Sequence, residues 1–308
     1  MSSGDHKFSK TRAVKQRRSL KQKYKKAIEA GDENRALEIA RLYLDSDNVK
    51  KLAAMDVRDK MRPHMRPSVP EMLRIGEKAD VWSECDEPVY VSFIPKDGAN
   101  QLHRPILNFG PLNKTKHGLV ADVVGMHFVP HPNQYLMNGG RHKAIEAVKA
   151  AWAEGYQFGV HVDLETFFQK IGGGELHKIL KLPKEVIKHV VLAMRYNLLT
   201  SRSLSRILCE PGQNLPIEHS LPVVGIEVEA FRRGIPQGSA LSPLCAEVIL
   251  HEVVSALPIL GVVVNYADDF LILCKAPNDR AALLSALKGV LVNHPATDTG
   301  EPPSGGPS

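Results

Sequence analysis

The spacing of hydrophobic residues changes along this chain, and each change predicts a different kind of element. From Ala27 to Ala53, apolar residues recur every three or four positions, which is typical of amphipathic helices, with polar breaks at 31–32 and 45–48. Residues 138–155 (NGGRHKAIEAVKAAWAEG) show helical spacing between glycines, and residues 174–198 show it again. We therefore predict a helical N-terminal region and further helices later in the chain.

Short apolar runs predict strands between these helices. Residues 82–107 hold two such runs, VYVSFI and RPILNF, and predict a small sheet or hairpin. The segment QFGVHVDL, at 157–164, predicts a strand that ends in an acid, and residues 201–230 hold more β-type runs. Residues 261–274 (GVVVNYADDFLILC) predict a hairpin with a polar tip. The whole pattern indicates an α+β protein.

A polar turn, FRRGIPQGSALSP, precedes the apolar helix LCAEVILHEVVSAL. Ser242 followed by Pro243 is a favoured start for a helix. Gly238 permits unusual backbone angles or the close approach of a ligand. Two interpretations are therefore open. The turn only launches the helix, or it also brings Gln237 and the Gly238 backbone beside a nucleotide or template base.

Composition and charge narrow the class of partner. The chain has 308 residues, a net charge of +6 and a pI near 9.0, which favours a polyanionic partner. Lys and Arg crowd residues 1–30, which we interpret as a solvated, partly disordered arm, as an arm that neutralises RNA phosphates, or as both. The four cysteines lack zinc-site spacing, and no membrane span or signal peptide is visible, so we expect a cytoplasmic protein.

Three carboxylates carry the candidate chemistry. Asp268 and Asp269 at the hairpin tip, taken alone, fit an ordinary Asp-rich turn. Asp163, taken alone, fits a strand-terminal residue that caps the next helix. If the two strands are neighbours, however, the three carboxylates converge at one edge. Carboxylate oxygens suit Mg²⁺, and a pair of such ions clamps the attacking and leaving oxygens of a phosphoryl displacement.

Three segments in this order, HVDLETFF, GIPQGSALSPL and NYADDFLILC, resemble palm motifs A, B and C of reverse transcriptases. The resemblance is to the bacterial enzymes, of the group II intron type and the defence-associated type, and it covers roughly residues 100–290. It implies a right-hand polymerase fold, with palm and fingers, an antiparallel palm sheet backed by helices and a basic helical N-terminal extension. It also implies an RNA-directed DNA polymerase that adds dNTPs to a primer 3′ end.

The resemblance also implies roles for individual residues. Asp163, Asp268 and Asp269 would be catalytic and, with the Leu164 backbone carbonyl, would bind two Mg²⁺ ions. Phe168 would be a steric gate against the 2′-hydroxyl; otherwise it is a core Phe. The remaining residues are candidates for the nucleotide pocket or its surroundings: Gln237 and Gly238 beside the nucleotide, Arg104 on the triphosphate, and Arg141 in a helix-opening motif. The implied partners are an RNA template, a DNA or RNA primer and dNTPs, with a structured non-coding RNA or a partner subunit as further candidates and no membrane.

We expect four regions: a basic helical extension at 1–62, fingers at 70–157, a palm at 158–292 and a disordered tail at 293–308. In the family, motif C is followed by a lysine-bearing motif D, a primer-grip motif E and a helical thumb. Here Lys288 is the only lysine of residues 279–292, and a Pro- and Gly-rich sequence follows. We therefore expect motif E and the thumb to be lacking. The alternatives to a reverse transcriptase are an inactive or subunit-dependent RNA-binding palm protein and an RNA-dependent RNA polymerase.

Overall fold

The computed structural model describes residues 8–95, 103–164, 166–172, 175–192, 195–200, 233–257 and 261–296. Two predictions fall outside them: the β-type runs at 201–230 and most of the tail at 293–308. The chain divides into two compact units. The first contains residues 1–127, 181–232 and 236–241, and the second contains the remainder.

Four helices open the first unit, and a side-chain oxygen caps the N-terminus of each. Their caps are Ser9, Asp32, Ser46 and Ser68. The helices are α1 (Lys10–Glu29), α2 (Glu33–Asp45), α3 (Asp47–Lys60) and α4 (Val69–Lys78), with a 3₁₀ turn at Pro63–Met65. The break at 31–32 and the break at 45–48 both lie at helix ends, as the sequence predicts.

Helix α1 corrects the interpretation of residues 10–29 as a disordered arm. Ala13, Tyr24 and Ala27 are buried, and they recur along one side of the helix. The basic residues dominate the composition, but these few buried positions are enough to dock the helix on its neighbours. The prediction of a basic helical extension is confirmed for α1.

The first sheet contains the predicted hairpin. Strands β1 (Val89–Pro95) and β2 (His103–Asn108) are antiparallel, and β4 (Leu198–Thr200) pairs with β1 in parallel. Helix α5 (Pro111–His127) follows β2. The Glu87 carboxylate accepts hydrogen bonds from the backbone N–H groups of Leu112 and Asn113 (2.9 and 2.7 Å), which satisfies two free donors at the start of α5.

The second unit is built on an antiparallel sheet in the order β3–β6–β5. Its strands are β3 (Phe158–Asp163), β5 (Val262–Tyr266) and β6 (Asp269–Cys274). Three longer helices belong to this unit: α6 (Gly140–Ala153), α10 (Ser242–Ser255) and α11 (Asp279–Val292). The predicted strand at 157–164, the hairpin at 261–274 and the helix at 138–155 are all confirmed.

Residues 174–198 form short helical pieces rather than the longer helical stretch that their spacing predicts. Two short helices lie in this stretch, α8 (Leu176–Ile179) and α9 (Lys184–Val186), and a π-turn follows at Ile187–Val191. Another short helix, α7 (Phe167–Lys170), precedes them. Lys181 has a positive φ of 50°, and Pro183 follows it, so the helix cannot continue between α8 and α9. Within the described ranges, no helix combines the length and the apolar character needed to cross a membrane.

Candidate active site

The hairpin tip brings two of the predicted aspartates together. In the antiparallel ladder between β3 and β6, Asp163 lies directly opposite Asp269, and both residues are exposed. Directly opposite residues in such a ladder point to the same face of the sheet. The Leu164 N–H donates to the Asp268 carbonyl oxygen (3.1 Å), which continues the pairing to the tip. The condition for convergence, that the Asp163 strand and the hairpin are neighbours in one sheet, is therefore met.

Electrostatics make this edge receptive to a cation. Like charges directly opposite each other on two strands destabilise the pair, unless an opposite charge lies nearby. Asp269 accepts or shares a hydrogen bond with the exposed ring of His161 (Nε2 to Oδ1, 3.0 Å), two residues before Asp163 on the same face. Lys and Arg make no ion pair with Asp163 or Asp269 among the described residues. Hard carboxylate oxygens that have a histidine contact but no Lys or Arg ion pair among the described residues fit the donor set that Mg²⁺ prefers.

The third aspartate and the predicted carbonyl ligand lie at the same tip. Asp268 is half-buried in the two-residue turn between β5 and β6. The Leu164 carbonyl accepts the Phe167 N–H (3.1 Å), and a carbonyl oxygen has a second lone pair for a ligand. Where the structure describes side chains, no group of three or more His, Cys, Asp or Glu is arranged to hold a metal ion. The convergence of all three carboxylates therefore stays a prediction.

The shape of the tip depends on Asn265, which the sequence analysis did not single out. This buried amide donates to the carbonyl oxygens of Ala267 (2.8 Å) and Asp269 (3.2 Å). It supports a turn in which Ala267 has a positive φ of 55°, a conformation that costs energy for a residue with a Cβ. The Asn265 backbone also bonds to Asn133 and Tyr135 (2.9 Å each). An Asn just before a strained two-residue turn is the sequence signal that could have identified it.

Phe168 lies on α7, which begins four positions after Asp163, the last residue of β3. The ring is half-buried and contacts Phe167 edge to face, with 6.2 Å between centroids. The Phe168 carbonyl accepts the Ile235 N–H (2.9 Å). A Cβ at Gly234 would collide with the same carbonyl, and Gly234 has a positive φ of 71°. The glycine is thus required where this turn crosses α7.

Gln237 and Gly238 form a turn in the first unit, against strand β2. The Leu107 N–H donates to the Gln237 carbonyl oxygen (2.9 Å). Gly238 has a φ of 105°, and a Cβ there would meet the Leu107 carbonyl oxygen. Both features confirm that only glycine fits here, as its permissive backbone predicts. The buried Ser239 follows, and its hydroxyl contacts His117 Nδ1 (3.1 Å).

The two predicted arginines lie in different units. Arg104 is on β2, where its backbone pairs with Ile94. Arg141 is exposed in the first turn of α6, after Gly139 and Gly140, which both have positive φ. Among the described residues, Arg141 makes no ion pair with Asp163 or Asp269.

Comparison with solved structures finds low similarity to larger assemblies. A partial Cas6-RT-Cas1–Cas2 complex is 15% identical, with a TM-score of 0.35 and coverage of 82% of this chain and 42% of that chain. The Cas6-RT-Cas1–Cas2 complex gives the same identity and TM-score, with coverage of 82% and 26%. Telomerase from Candida albicans in complex with a TWJ fragment of telomeric RNA is 12% identical, with a TM-score of 0.35 and coverage of 69% and 41%.

The chain thus spans less than half the length of each of these structures. A search of curated proteins finds no match. The family comparison is more informative, because it matches residues 94–295, which include all three motif segments and more than half of the chain. On that match, the chain belongs to the family described as reverse transcriptase (RNA-dependent DNA polymerase).

Proposed function

We propose that this protein is an RNA-directed DNA polymerase that adds dNTPs to a primer 3′ end, with Asp163, Asp268 and Asp269 at its catalytic centre. One observation carries the proposal. Asp163 and Asp269, which are 106 positions apart in the chain, are directly opposed at an exposed strand edge, and among the described residues no Lys or Arg forms an ion pair with either of them. A turn-forming or helix-capping role would not require the two carboxylates to face each other.

The chain's own groups divide the work of the reaction. The three carboxylates and the Leu164 carbonyl are the proposed ligands of two Mg²⁺ ions, which would neutralise the charge that develops on the reacting phosphate. Asn265 holds the tip in the shape that presents Asp268 and Asp269. Gln237 and Gly238 are proposed to line the nucleotide pocket, with Phe168 beneath the sugar and Arg104 on the triphosphate.

The proposed partners are an RNA template, a primer with a free 3′ hydroxyl and dNTPs. The net charge of +6 supports a polyanionic partner. A structured non-coding RNA, a partner subunit and a role in antiviral defence are narrower proposals that the resemblance suggests. They do not follow from the site itself.

Primer extension on an RNA template tests the proposal. Wild type is compared with Asp268→Asn, which keeps the side-chain shape and removes the charge, and with Asp279→Asn as a matched control. Asp279 lies in the first turn of α11, beyond the far end of β6 from the tip. We expect Mg²⁺-dependent extension by wild type and Asp279→Asn, and a loss of at least about 100-fold in Asp268→Asn, because catalysis depends on charge at the reacting centre.

Three outcomes contradict parts of the proposal. Full activity in Asp268→Asn would show that the catalytic site is elsewhere. Preferential incorporation of NTPs would favour an RNA-dependent RNA polymerase. Complete inactivity of wild type, while it still binds RNA, would favour the inactive or subunit-dependent palm protein.

A further inference from the structure

We propose that His117 is a positioning residue for the nucleotide pocket: through Ser239, it holds the Gln237–Gly238 turn against strand β2. The inference rests on the proposed function, which assigns that turn to the incoming nucleotide. His117 lies in α5, 122 positions before Ser239, and belongs to none of the motif segments.

A directed chain of hydrogen bonds runs through the His117 ring. The Tyr196 hydroxyl donates to the Val190 carbonyl oxygen (2.5 Å), so it accepts from His117 Nε2–H (2.7 Å). The proton is therefore on Nε2, and Nδ1 is an acceptor. The Ser239 hydroxyl donates to Nδ1 (3.1 Å), and its oxygen accepts the Leu241 N–H (3.1 Å). Each link has one possible direction, which fixes the Ser239 side chain.

The ring can serve this purpose because it is fully buried and packed. His117 is 1% exposed, and Phe109 meets it edge to face, with 4.5 Å between centroids. Burial lowers the pKa of His117 to about 3, helped by the charges of Lys116 and Lys114, so the ring is neutral at physiological pH. A neutral ring keeps the Nδ1 lone pair that Ser239 needs.

The turn is thereby held on both sides of Gly238. Before the glycine, the Gln237 carbonyl accepts the Leu107 N–H; after it, Ser239 is bonded to His117. A Cβ at Gly238 would strike the Leu107 carbonyl, so the backbone already lies as close to β2 as it can. Loss of the His117 link would release one side of the turn without removing any residue that faces the nucleotide.

Matched variants separate positioning from general stability. Ser239→Ala and His117→Gln each break the link to the turn, and Ser239→Thr retains a hydroxyl. Thr115→Val is the control, because it removes a different hydrogen bond of the buried face of α5, from the Thr115 hydroxyl to the Pro111 carbonyl oxygen (2.7 Å), and leaves the His117 ring and its partners in place. Steady-state KM and kcat for dNTPs are measured on the full chain, together with amide hydrogen exchange at Leu107 and Leu241 and the melting temperature.

We expect Ser239→Ala and His117→Gln to raise the KM for dNTPs about fivefold, the value of one buried hydrogen bond, with kcat changed less than about twofold. The double variant should be no worse than either single variant, because both break one link. Exchange at Leu107 should accelerate in these variants, Ser239→Thr should restore KM, and Thr115→Val should lower the melting temperature alone.

A KM that follows the melting temperature, so that Thr115→Val raises it equally, would overturn the positioning role and leave the proposed function intact. Unchanged exchange at Leu107 in Ser239→Ala would overturn it too, even with an inactive enzyme. If wild type is inactive but amide exchange at Leu107 is faster in Ser239→Ala, the proposed polymerase function is contradicted. The role of the His117–Ser239 bond in holding the turn on β2 is then still supported.

Discussion

At the scale of single residues, the sequence motifs predict which side chains face the chemistry, and the structure adds residues that support those positions. Phe168 illustrates the first kind. It follows the Asp163 strand on a one-turn helix and is half-buried, with its carbonyl fixed by Ile235. Since a hydrogen bond from Ile235 holds the Phe168 backbone independently of its ring, the ring can be removed without detaching α7 from this turn.

Phe168→Ala is therefore expected to relax sugar selection while the protein stays folded. The ratio of NTP to dNTP incorporation should rise about tenfold to a hundredfold, because removing bulk admits the 2′-hydroxyl. Primer extension with each nucleotide class measures the ratio. Phe158→Ala is the control, because Phe158 is partly exposed at the opposite end of β3. An unchanged ratio in Phe168→Ala would show that Phe168 is only a packing residue.

Glu247 on α10 is a residue of the second kind that no motif marks. It is fully buried, and neither carboxyl oxygen has a hydrogen-bond partner among the described residues. Burial raises the pKa of Glu247 from 4.5 to about 7. The contribution of Glu247 to stability is therefore complete below about pH 4.5, where both states are protonated, and it falls above that pH because the unfolded chain releases a proton that the folded state keeps. The advantage is lost as the pH rises through 7.

Glu247→Gln should therefore remove part of the pH dependence of stability. The free energy of unfolding of wild type should fall by on the order of 3 kcal/mol between pH 5 and pH 8, because the pKa of Glu247 rises from 4.5 to about 7 on folding. The free energy of unfolding of the variant should not fall in this way. Urea unfolding across that range measures the difference. Glu146→Gln, at an exposed position on α6, is the control and should keep the wild-type slope. A wild-type slope in Glu247→Gln would exclude a proton shift at Glu247.

At the scale of elements, local spacing was enough for the hairpins and for most long helices. The strand at 157–164 and the hairpin at 261–274 carry continuous apolar runs, and both are confirmed. The contribution of His117 could not be predicted, because its partner is set by a tertiary contact: His117 and Ser239 are 122 positions apart. The interpretation of residues 1–30 as a partly disordered arm was wrong over α1 for a related reason. The acid that anchors this helix, Asp122, lies 101 positions from Lys21 in the chain.

Asp122, on α5, accepts hydrogen bonds from two donors on α1 and from one donor on α2. Arg17 and Tyr43 make short hydrogen bonds to it, and Lys21 Nζ lies 2.7 Å from Oδ1. Burial alone would raise the pKa of Asp122, but the bonds from Lys21 and Tyr43 and the charge of Arg17 outweigh it and lower the pKa. The stabilisation is therefore present above the ordinary aspartate range and is lost as the pH falls through the lowered value.

Asp122→Asn should destabilise the first unit by about 3 kcal/mol at pH 7, because it leaves partly buried cations without their counter-charge. The deficit should shrink as the pH falls through the lowered pKa of Asp122, because wild type then becomes protonated as well. Chemical unfolding at several pH values tests both statements. Asp59→Asn is the control. Asp59 is half-exposed, and its carboxylate is as far as 3.9 Å from Lys10 Nζ, so losing this charge should lower the free energy of unfolding by less than about 0.5 kcal/mol. Equal costs for the two variants would contradict an anchoring role.

At the scale of the whole molecule, this anchoring explains how a strongly basic helix can be both folded and available to a polyanion. Arg17 forms ion pairs with Asp56 and Asp122, and Lys21 forms an ion pair with Asp122. Lys15, Arg18 and Lys25 recur along another side of α1 and are exposed. A docked helix presents these charges as a fixed surface, so each cation should displace counterions from RNA with little loss of conformational entropy on binding.

Replacing Lys15, Arg18 and Lys25 together with Gln should therefore weaken RNA binding and its dependence on salt. Each lost phosphate contact reduces the slope of log K against log salt by about 0.7 for single strands, so the triple variant should lose about 2 units of slope. Equilibrium binding to a single-stranded RNA over a salt series measures this. Lys149, Lys184 and Lys188 are exposed lysines outside α1, and their triple Gln variant controls for the change in net charge. If both triple variants reduce the slope equally, RNA is attracted by net charge alone. A selective loss in the α1 variant would identify the helix as an RNA-binding surface.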